Sequence, residues 1–235
     1  MKKINALIPA RGGSKGVPRK NIKLLRGMPL IYYSIKSCLE SNYIDRVIVS
    51  TEDEEIAQIA EKYGAEVPFL RPSKFAQDNS IDYVVLRHFF SEIISEEVAF
   101  IRPTTPMRDP ETLDDAIETY YNNIRLLNAT GLRSMHELPE SPYKYFKINP
   151  EGFCVGFFED FEGIRNYTNL PRQTFPTAYH PNGYIDIIKK STVDNGSTYG
   201  EKIFPYITKT VIEIDTQEQF DLLESYKTEE QSKTR

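Results

Sequence analysis

Between Ile8 and Asn21 the chain reads IPARGGSKGVPRKN, in which Gly12, Gly13 and Gly16 are interleaved with Arg11, Lys15, Arg19 and Lys20. An apolar run feeding a glycine-rich turn leaves successive backbone N–H groups open to an anion, because glycine lacks a Cβ and tolerates positive φ. Phosphate is the natural guest: Arg11 and Lys15 bracket the glycines and can each bond several phosphate oxygens, arginine in bidentate fashion. A solvated basic turn is the competing reading. The P-loop pattern G-x-x-x-x-G-K-[ST] and the dinucleotide fingerprint G-x-G-x-x-G are both absent. Gly12-Gly13-Ser14-Lys15-Gly16 formally satisfies G-x-S-x-G, which would make Ser14 a nucleophile served by His88, His136 or His180. Against that, the elbow would follow the very first strand, and cations rather than apolar packing surround the serine.

A second constellation lies near the C-terminus. Glu213 and Asp215 are two residues apart in VIEID. On a predicted strand over Val211–Ile214 they would project from one face and could share a hard cation with phosphate oxygens and water. Taken alone, such a pair is more often a solvated strand face, because acids are mostly exposed.

These residues need a scaffold, and 235 residues with 40% hydrophobic and 27% charged side chains suffice for one core. No run approaches the eighteen or so apolar residues of a membrane span, and no signal peptide is evident, so a cytoplasmic protein is expected. Cys38 and Cys154 are too few for a disulfide framework. The net charge is −5, unevenly spread: nine cations and no acid precede Glu40, leaving −14 on the remainder. Because the cations alternate with glycine, proline and apolar runs, a compact anionic ligand fits them better than nucleic acid.

Strands are predicted at Ile4–Pro9, Arg46–Ser50, Glu66–Leu70, Glu97–Ile101, Tyr184–Ile188 and Val211–Ile214. Helices are predicted at Leu30–Glu40, over STEDEEIAQIAEKYG with a Ser/Thr cap and terminal Gly64, at Tyr83–Ser91, at Pro110–Leu127 behind Asp109, and over DTQEQFDLLESY. The alternation predicts an α/β fold with a mostly parallel sheet covered on both faces. Residues 1–225 form one domain in this reading. Within it, 136–180 is crowded with proline and aromatics and makes a hairpin-rich excursion, and 226–235 is a frayed tail.

The string IPARGGSKGVPRKNIKLLRGMPLIYYSI is similar to the N-terminal signature of the acylneuraminate cytidylyltransferases, the CMP–sialic acid synthetases, which belong with the CMP-Kdo synthetases among sugar-nucleotide transferases. The likeness continues through RVIVSTEDEEIAQIAEKYGAEVPFLRPSKFAQD, IRPTTPMRDP, LPRQTFPTAYHPNGYIDI and VIEIDTQEQFDLLE, in family order. Five ordered blocks covering about nine-tenths of the chain are more specific than any one alone.

The resemblance implies a Rossmann-like sheet of the nucleotide-sugar transferase type and a Mg²⁺-assisted transfer of CMP from CTP to the anomeric hydroxyl of a nonulosonic acid. It implies that Arg11 and Lys15, on the loop with Gly12 and Gly13, grip the triphosphate. Lys20 and Asn21 would lie by the nucleotide, Arg71 would reach phosphate, and Asp78 and Ser80 would border the cytidine. Asp215 and Glu213 would hold the metal, although the family usually carries aspartate at both positions. Arg102, with Thr104 beside it, stands where many members place a sugar-binding glutamine. It is either a ligand for the acceptor carboxylate or a structural ion-pair partner.

Arg172, Gln173, Asn182 and Gly183 match a block that shapes the acceptor site, though Asn182-Gly183 also reads as a hairpin turn. Asp186 replaces a frequent tyrosine and is either a satisfied buried group or an acceptor contact. The excursion falls where the family builds a homodimer interface, and a self-contained hydrophobic satellite would explain its aromatics almost as well. Transfer to Kdo, pseudaminic or legionaminic acid, or non-catalytic binding of a nucleotide sugar, remain the alternatives.

Overall fold

In this computed structural model the described residues are 2–225. The predicted tail lies outside them. The chain runs β1 (Ile4–Pro9), β2 (Leu24–Leu25), β3 (Met28–Pro29), α1 (Leu30–Glu40), β4 (Ile44–Ser50), α2 (Glu54–Lys62), α3 (Asp82–Glu92), β5 (Glu97–Phe100) and α4 (Pro110–Leu127). It continues with β6 (Gly131–Glu137), β7 (Phe146–Ile148), β8 (Cys154–Gly156), β9 (Tyr179–Lys189), α5 (Lys190–Asp194), β10 (Ile203–Ile207) and α6 (Gln217–Ser225). No helix of the described residues is long and apolar enough to cross a membrane.

Six strands form one sheet in the order β10-β6-β9-β5-β1-β4. All run the same way except β9, which is antiparallel to β5 and to β6. The period-2 geometry of a strand sends alternate side chains to opposite faces, and the apolar runs of the sequence fill both. Ala6, Ile8, Val47, Val49, Ala99 and Ile187 pack with α1, α2 and α4 on one side. Leu7, Ile48, Val98, Phe100 and Ile188 pack with α3 on the other. Strands buried on both faces read as continuous hydrophobic runs, which is why β1, β4 and β5 are legible in the sequence.

Four expectations change. Glu66–Leu70 is not a strand: only Glu66 bridges to Ile48. Val211–Ile214 joins no ladder; it is an extended segment tied to the chain after β5 by a bond from the Ile214 N–H to the Thr104 carbonyl at 2.8 Å. The cap of α2 is Asp53, whose carboxylate accepts from the Ile56 N–H, and not a serine or threonine. Asn182-Gly183 is no hairpin turn. It lies inside β9 at an irregularity where Arg133 pairs with Asp186 and Met135 with Pro181, so two steps of β6 span five of β9. Strands β6 and β10 were not predicted, since Gly131–Glu137 has few large apolar residues and Pro205 interrupts Ile203–Ile207. β10 is an edge strand, where proline is tolerated.

The excursion between β6 and β9 holds the hairpin β7–β8 and an aromatic knot. Tyr143 stacks on Phe175 with centroids 5.2 Å apart, Phe161 meets both edge-on, and the Tyr167 hydroxyl donates to the Phe158 carbonyl. The knot lies apart from the core clusters on either face of the sheet. Phe146, Ile148, Phe153 and Phe157 on the same excursion remain exposed.

Candidate active site

A cleft of about 230 Å³ opens beyond the C-terminal ends of β1 and β5, where ligands bind in open α/β sheets. Arg11, Gly13, Lys20, Asn21, Arg71, Asp78, Ser80, Arg102 and Thr104 line it, so most of the residues anticipated for two ligands converge on one depression.

The glycine loop is shaped by close approach rather than by unusual dihedrals, because Gly12, Gly13 and Gly16 all lack positive φ. A Cβ on Gly12 would meet the Asp53 carboxylate at 2.5 Å, and one on Gly16 would lie 2.1 Å from the Asp215 carbonyl. Gly13 has nothing nearby and leaves the cleft wall open. The Gly12 N–H donates to Glu52 Oε1 at 2.7 Å. The loop is therefore pressed between the start of α2 and the segment carrying Glu213 and Asp215. Ser14 lines the cleft, and no hydrogen bond joins it to a histidine among the described residues.

Every cation at the cleft has a partner. Arg11 donates to the Gln77 carbonyl at 2.7 Å and pairs with Asp78 at 3.2 Å; Lys15 meets the other oxygen of Asp78 at 2.7 Å. Lys15 and then Arg11 pull the Asp78 carboxyl below its usual range. Lys20 bonds the Ile214 carbonyl at 2.8 Å and Asp215 at 3.2 Å. Arg71 is 4% exposed, pairs with Glu52 and keeps Nε unpartnered; burial lowers its affinity for a proton. An unpartnered buried N–H beside a cleft is a donor awaiting an acceptor. Asn21 is spent on structure, since its buried amide donates to the Arg11 carbonyl at 2.8 Å and fixes the loop. Ser80 closes a turn with Gln77. Arg19 turns away to Asp53 and Glu55.

The residues expected at the acceptor separate. Arg102 reaches Asp186 at 2.6 Å, Asp82 at 2.5 Å and the Tyr199 hydroxyl at 3.1 Å. Burial opposes its charge, but Asp186 and Asp82 outweigh that and bind the proton more firmly. Arg102 is thus held in ion pairs, with Asp186 the buried carboxylate and Asp82 the half-exposed one. Asn182 is fully buried, and its amide donates to Thr208 Oγ1 at 2.7 Å. Gly183, at φ +61°, leaves room for Arg102, whose Cδ would lie 3.1 Å from an added Cβ. Arg172 and Gln173 line a different depression with Glu137, Glu140 and Phe175.

Sequence reasoning did not find Glu52, Gln77, Asp82 or Tyr199, whose partners lie far along the chain. It also missed Arg108, which is wholly buried and donates to the carbonyls of Tyr184, Arg102 and Gly183 and to the Ser34 hydroxyl. Burial lowers its pKa to about 10, leaving it protonated at neutral pH. It ties β9 to the turn after β5; its place one residue before the Asp109 cap was the sole hint.

No group of three or more His, Cys, Asp or Glu residues suited to a metal is present among the described residues. Two hard carboxylates still fit a cation that takes its remaining ligands from phosphate and water. Glu213 Oε1 is buried without a hydrogen-bond partner, and burial, then Asp215, raises the pKa of its carboxyl, so the pair would gain from a cation. Their proximity comes from an extended segment clamped by Thr104 and Gly16, not from a strand's pleat.

A cytidylyltransferase family model matches residues 5–143, which contain the glycine loop, Arg71, Asp78 and Arg102. The chain belongs to the cytidylyltransferase family and is a nucleotidyltransferase. It is 33% identical over 225 residues to the CMP-N,N'-diacetyllegionaminic acid synthase of Legionella pneumophila, covering 91% of each chain. It is 30% identical to the N-acylneuraminate cytidylyltransferase of Escherichia coli, covering 94% of this chain but only 51% of that one. The chain thus spans the length of the first relative and about half of the second. Among solved structures, a CMP:2-keto-3-deoxy-manno-octonic acid synthetase complexed with CTP superimposes with a TM-score of 0.70 at 16% identity, covering 95% of this chain and 98% of that one, which establishes the shared fold.

Proposed function

We propose that this protein transfers CMP from CTP to the anomeric hydroxyl of a sialic-acid-like nonulosonic acid. The hydroxyl oxygen forms a bond to the α-phosphorus, the bond to the β-phosphate oxygen breaks, pyrophosphate leaves, and the hydroxyl proton is released. One observation carries this reading: Arg11, Lys20 and Arg71 line a single cleft at the ends of β1 and β5, and Lys15 pairs with Asp78 on its wall. Such transfer needs alignment and charge neutralisation rather than a protein nucleophile.

Arg11 and Lys15 would grip the triphosphate, and Arg71 would offer its free Nε from the cleft wall. Asp215 and Glu213 would hold Mg²⁺, which when bound neutralises phosphate charge. Lys20, bonded to the Ile214 carbonyl, orients that segment. The chemistry of the relatives favours an acidic keto sugar as acceptor, and the exposed aromatics of the excursion favour a homodimer.

The test is pyrophosphate release from CTP with a panel of nonulosonic acids and Kdo. Release with at least one sugar is expected, with Arg11→Ala lowering kcat/KM by about a hundredfold or more and EDTA abolishing turnover. No release with any sugar overturns the function. Activity surviving loss of Arg11 or Asp215 overturns the site, and an unchanged rate in EDTA removes the metal.

A further inference from the structure

We propose that Asp78 and Asp82 are resident counter-anions, carboxylates that occupy two anion seats in the cleft until ligand anions displace them, so that the segment 77–82 acts as a releasable strap. The inference rests on the triphosphate reading of Arg11 and Lys15. Asp78 alone engages both of those cations, through separate oxygens at 3.2 and 2.7 Å. Asp82 engages Arg102 at 2.5 Å.

The cleft cations fall into two groups. Lys20 bonds the Ile214 carbonyl besides Asp215, and Arg71 pairs with a largely buried Glu52. Arg11, Lys15 and Arg102 instead hold partners on one short stretch, Asp78 being 46% and Asp82 42% exposed at the side chain. Exposed ion pairs are weak, whereas a polyphosphate makes several charge-assisted bonds at once. An acid left at that seat would repel an arriving triphosphate, so Asp78 must withdraw.

The strap is built to do so. Gln77, Asp78, Asn79 and Ile81 are exposed. Its internal bonds, between the Gln77 N–H and Ser80 Oγ and between the Ser80 N–H and the Gln77 carbonyl, are local and survive displacement as a unit. Its anchors are Phe75 against the His88 ring on one side and the buried Val85 and Leu86 of α3 on the other, with Asp82, the first residue of that helix, at the hinge. The bond from Arg11 to the Gln77 carbonyl is the latch that a phosphate replaces. Arg102 stays fixed by Asp186 and Tyr199 when Asp82 leaves, so the second seat remains formed for a carboxylate. Because both acids sit on one segment, filling the first seat loosens the contact at the second, and the two ligands bind with positive coupling.

Inorganic tripolyphosphate, titrated calorimetrically into the full chain at fixed salt, tests the idea without requiring turnover. Asp78→Asn is expected to tighten binding about fivefold, as release from two exposed pairs would give, and Asp78→Glu to restore the wild-type value. Glu118→Gln, the same charge change on an exposed face of α4, controls for net charge. Amide exchange across 77–82 in the wild type is expected to accelerate when tripolyphosphate binds. Unchanged or weaker binding by Asp78→Asn, or an equal gain in Glu118→Gln, overturns the strap, as does protection of 77–82. Absence of tripolyphosphate binding in every variant overturns the triphosphate site together with the strap. Tightening by Asp78→Asn with no pyrophosphate release in the sugar panel leaves the strap standing and overturns only the reaction.

Discussion

The three glycines of the loop have different reasons to be glycine, and the differences are measurable. A methyl group at position 16 collides with a backbone carbonyl, which cannot rotate away, so Gly16→Ala must displace the Asp215 segment. We expect a cost of about 1–3 kcal/mol in urea unfolding together with loss of activity, because Asp215 moves. At position 12 the obstacle is the Asp53 carboxylate, a side chain that Arg19 holds in place. Gly12→Ala should cost less than Gly16→Ala. Gly13→Ala, which meets nothing within 4 Å, should leave the unfolding midpoint unchanged. A reversed order would show that the loop does not pack on the Asp215 segment as described. The sequence marks all three glycines as turn residues; which one touches backbone is a tertiary fact.

Helix α2 illustrates how an element serves the site. Asp53 caps its N-terminus and pairs with Arg19, so one carboxylate fixes both the helix and the strand-to-helix region that follows the glycine loop. The Arg19 hydrogen bond, chiefly, holds its pKa below the usual carboxylate value. A lowered value means that the stabilisation is complete above the unfolded-state pKa of about 3.9 and is lost as pH falls through the folded value. Asp53→Asn keeps a cap acceptor and removes the charge. Between pH 5 and pH 2 the wild type should therefore lose more stability than Asp53→Asn, by about 1 kcal/mol, read from urea midpoints across the range; parallel profiles would refute the linkage. Asp53→Ala, losing cap and charge, should cost about 1–2 kcal/mol at pH 7.

At the scale of the whole molecule, charge is redistributed by folding. The first 39 residues contain no acid, yet Lys2, Arg11, Lys15, Arg19 and Lys20 are all neutralised by acids from later in the chain, namely Glu97, Asp78, Asp53 and Asp215. The basic N-terminal block is thus no free patch, and only its members at the cleft remain exchangeable with ligand. The excursion carries the remaining unsatisfied surface. Phe146, Ile148, Phe153 and Phe157 are 53–74% exposed on and beside one hairpin, more than an isolated satellite would leave uncovered. We expect the protein to sediment as a dimer and Phe157→Asp to weaken that association by about tenfold or more; a monomeric wild type at micromolar concentration would remove the interface.

The α/β alternation, the central strands, the caps at Gly64 and Asp109, and the residue types at the cleft are all legible in the linear chain. Those features are carried by local periodicity and by contiguous motifs. Long-range contacts alone reveal that β9 runs against its neighbours, that Val211–Ile214 is a clamped segment rather than a strand, and that Arg172 and Gln173 line a different depression from Arg102. The same holds for Arg102, which the sequence leaves open as acceptor ligand or ion-pair partner. Asp82, Asp186 and Tyr199 hold its guanidinium in this structure, from positions 20, 84 and 97 residues away. Strand direction and ion pairing depend on which distant segments the sheet order brings side by side, and no local pattern encodes that.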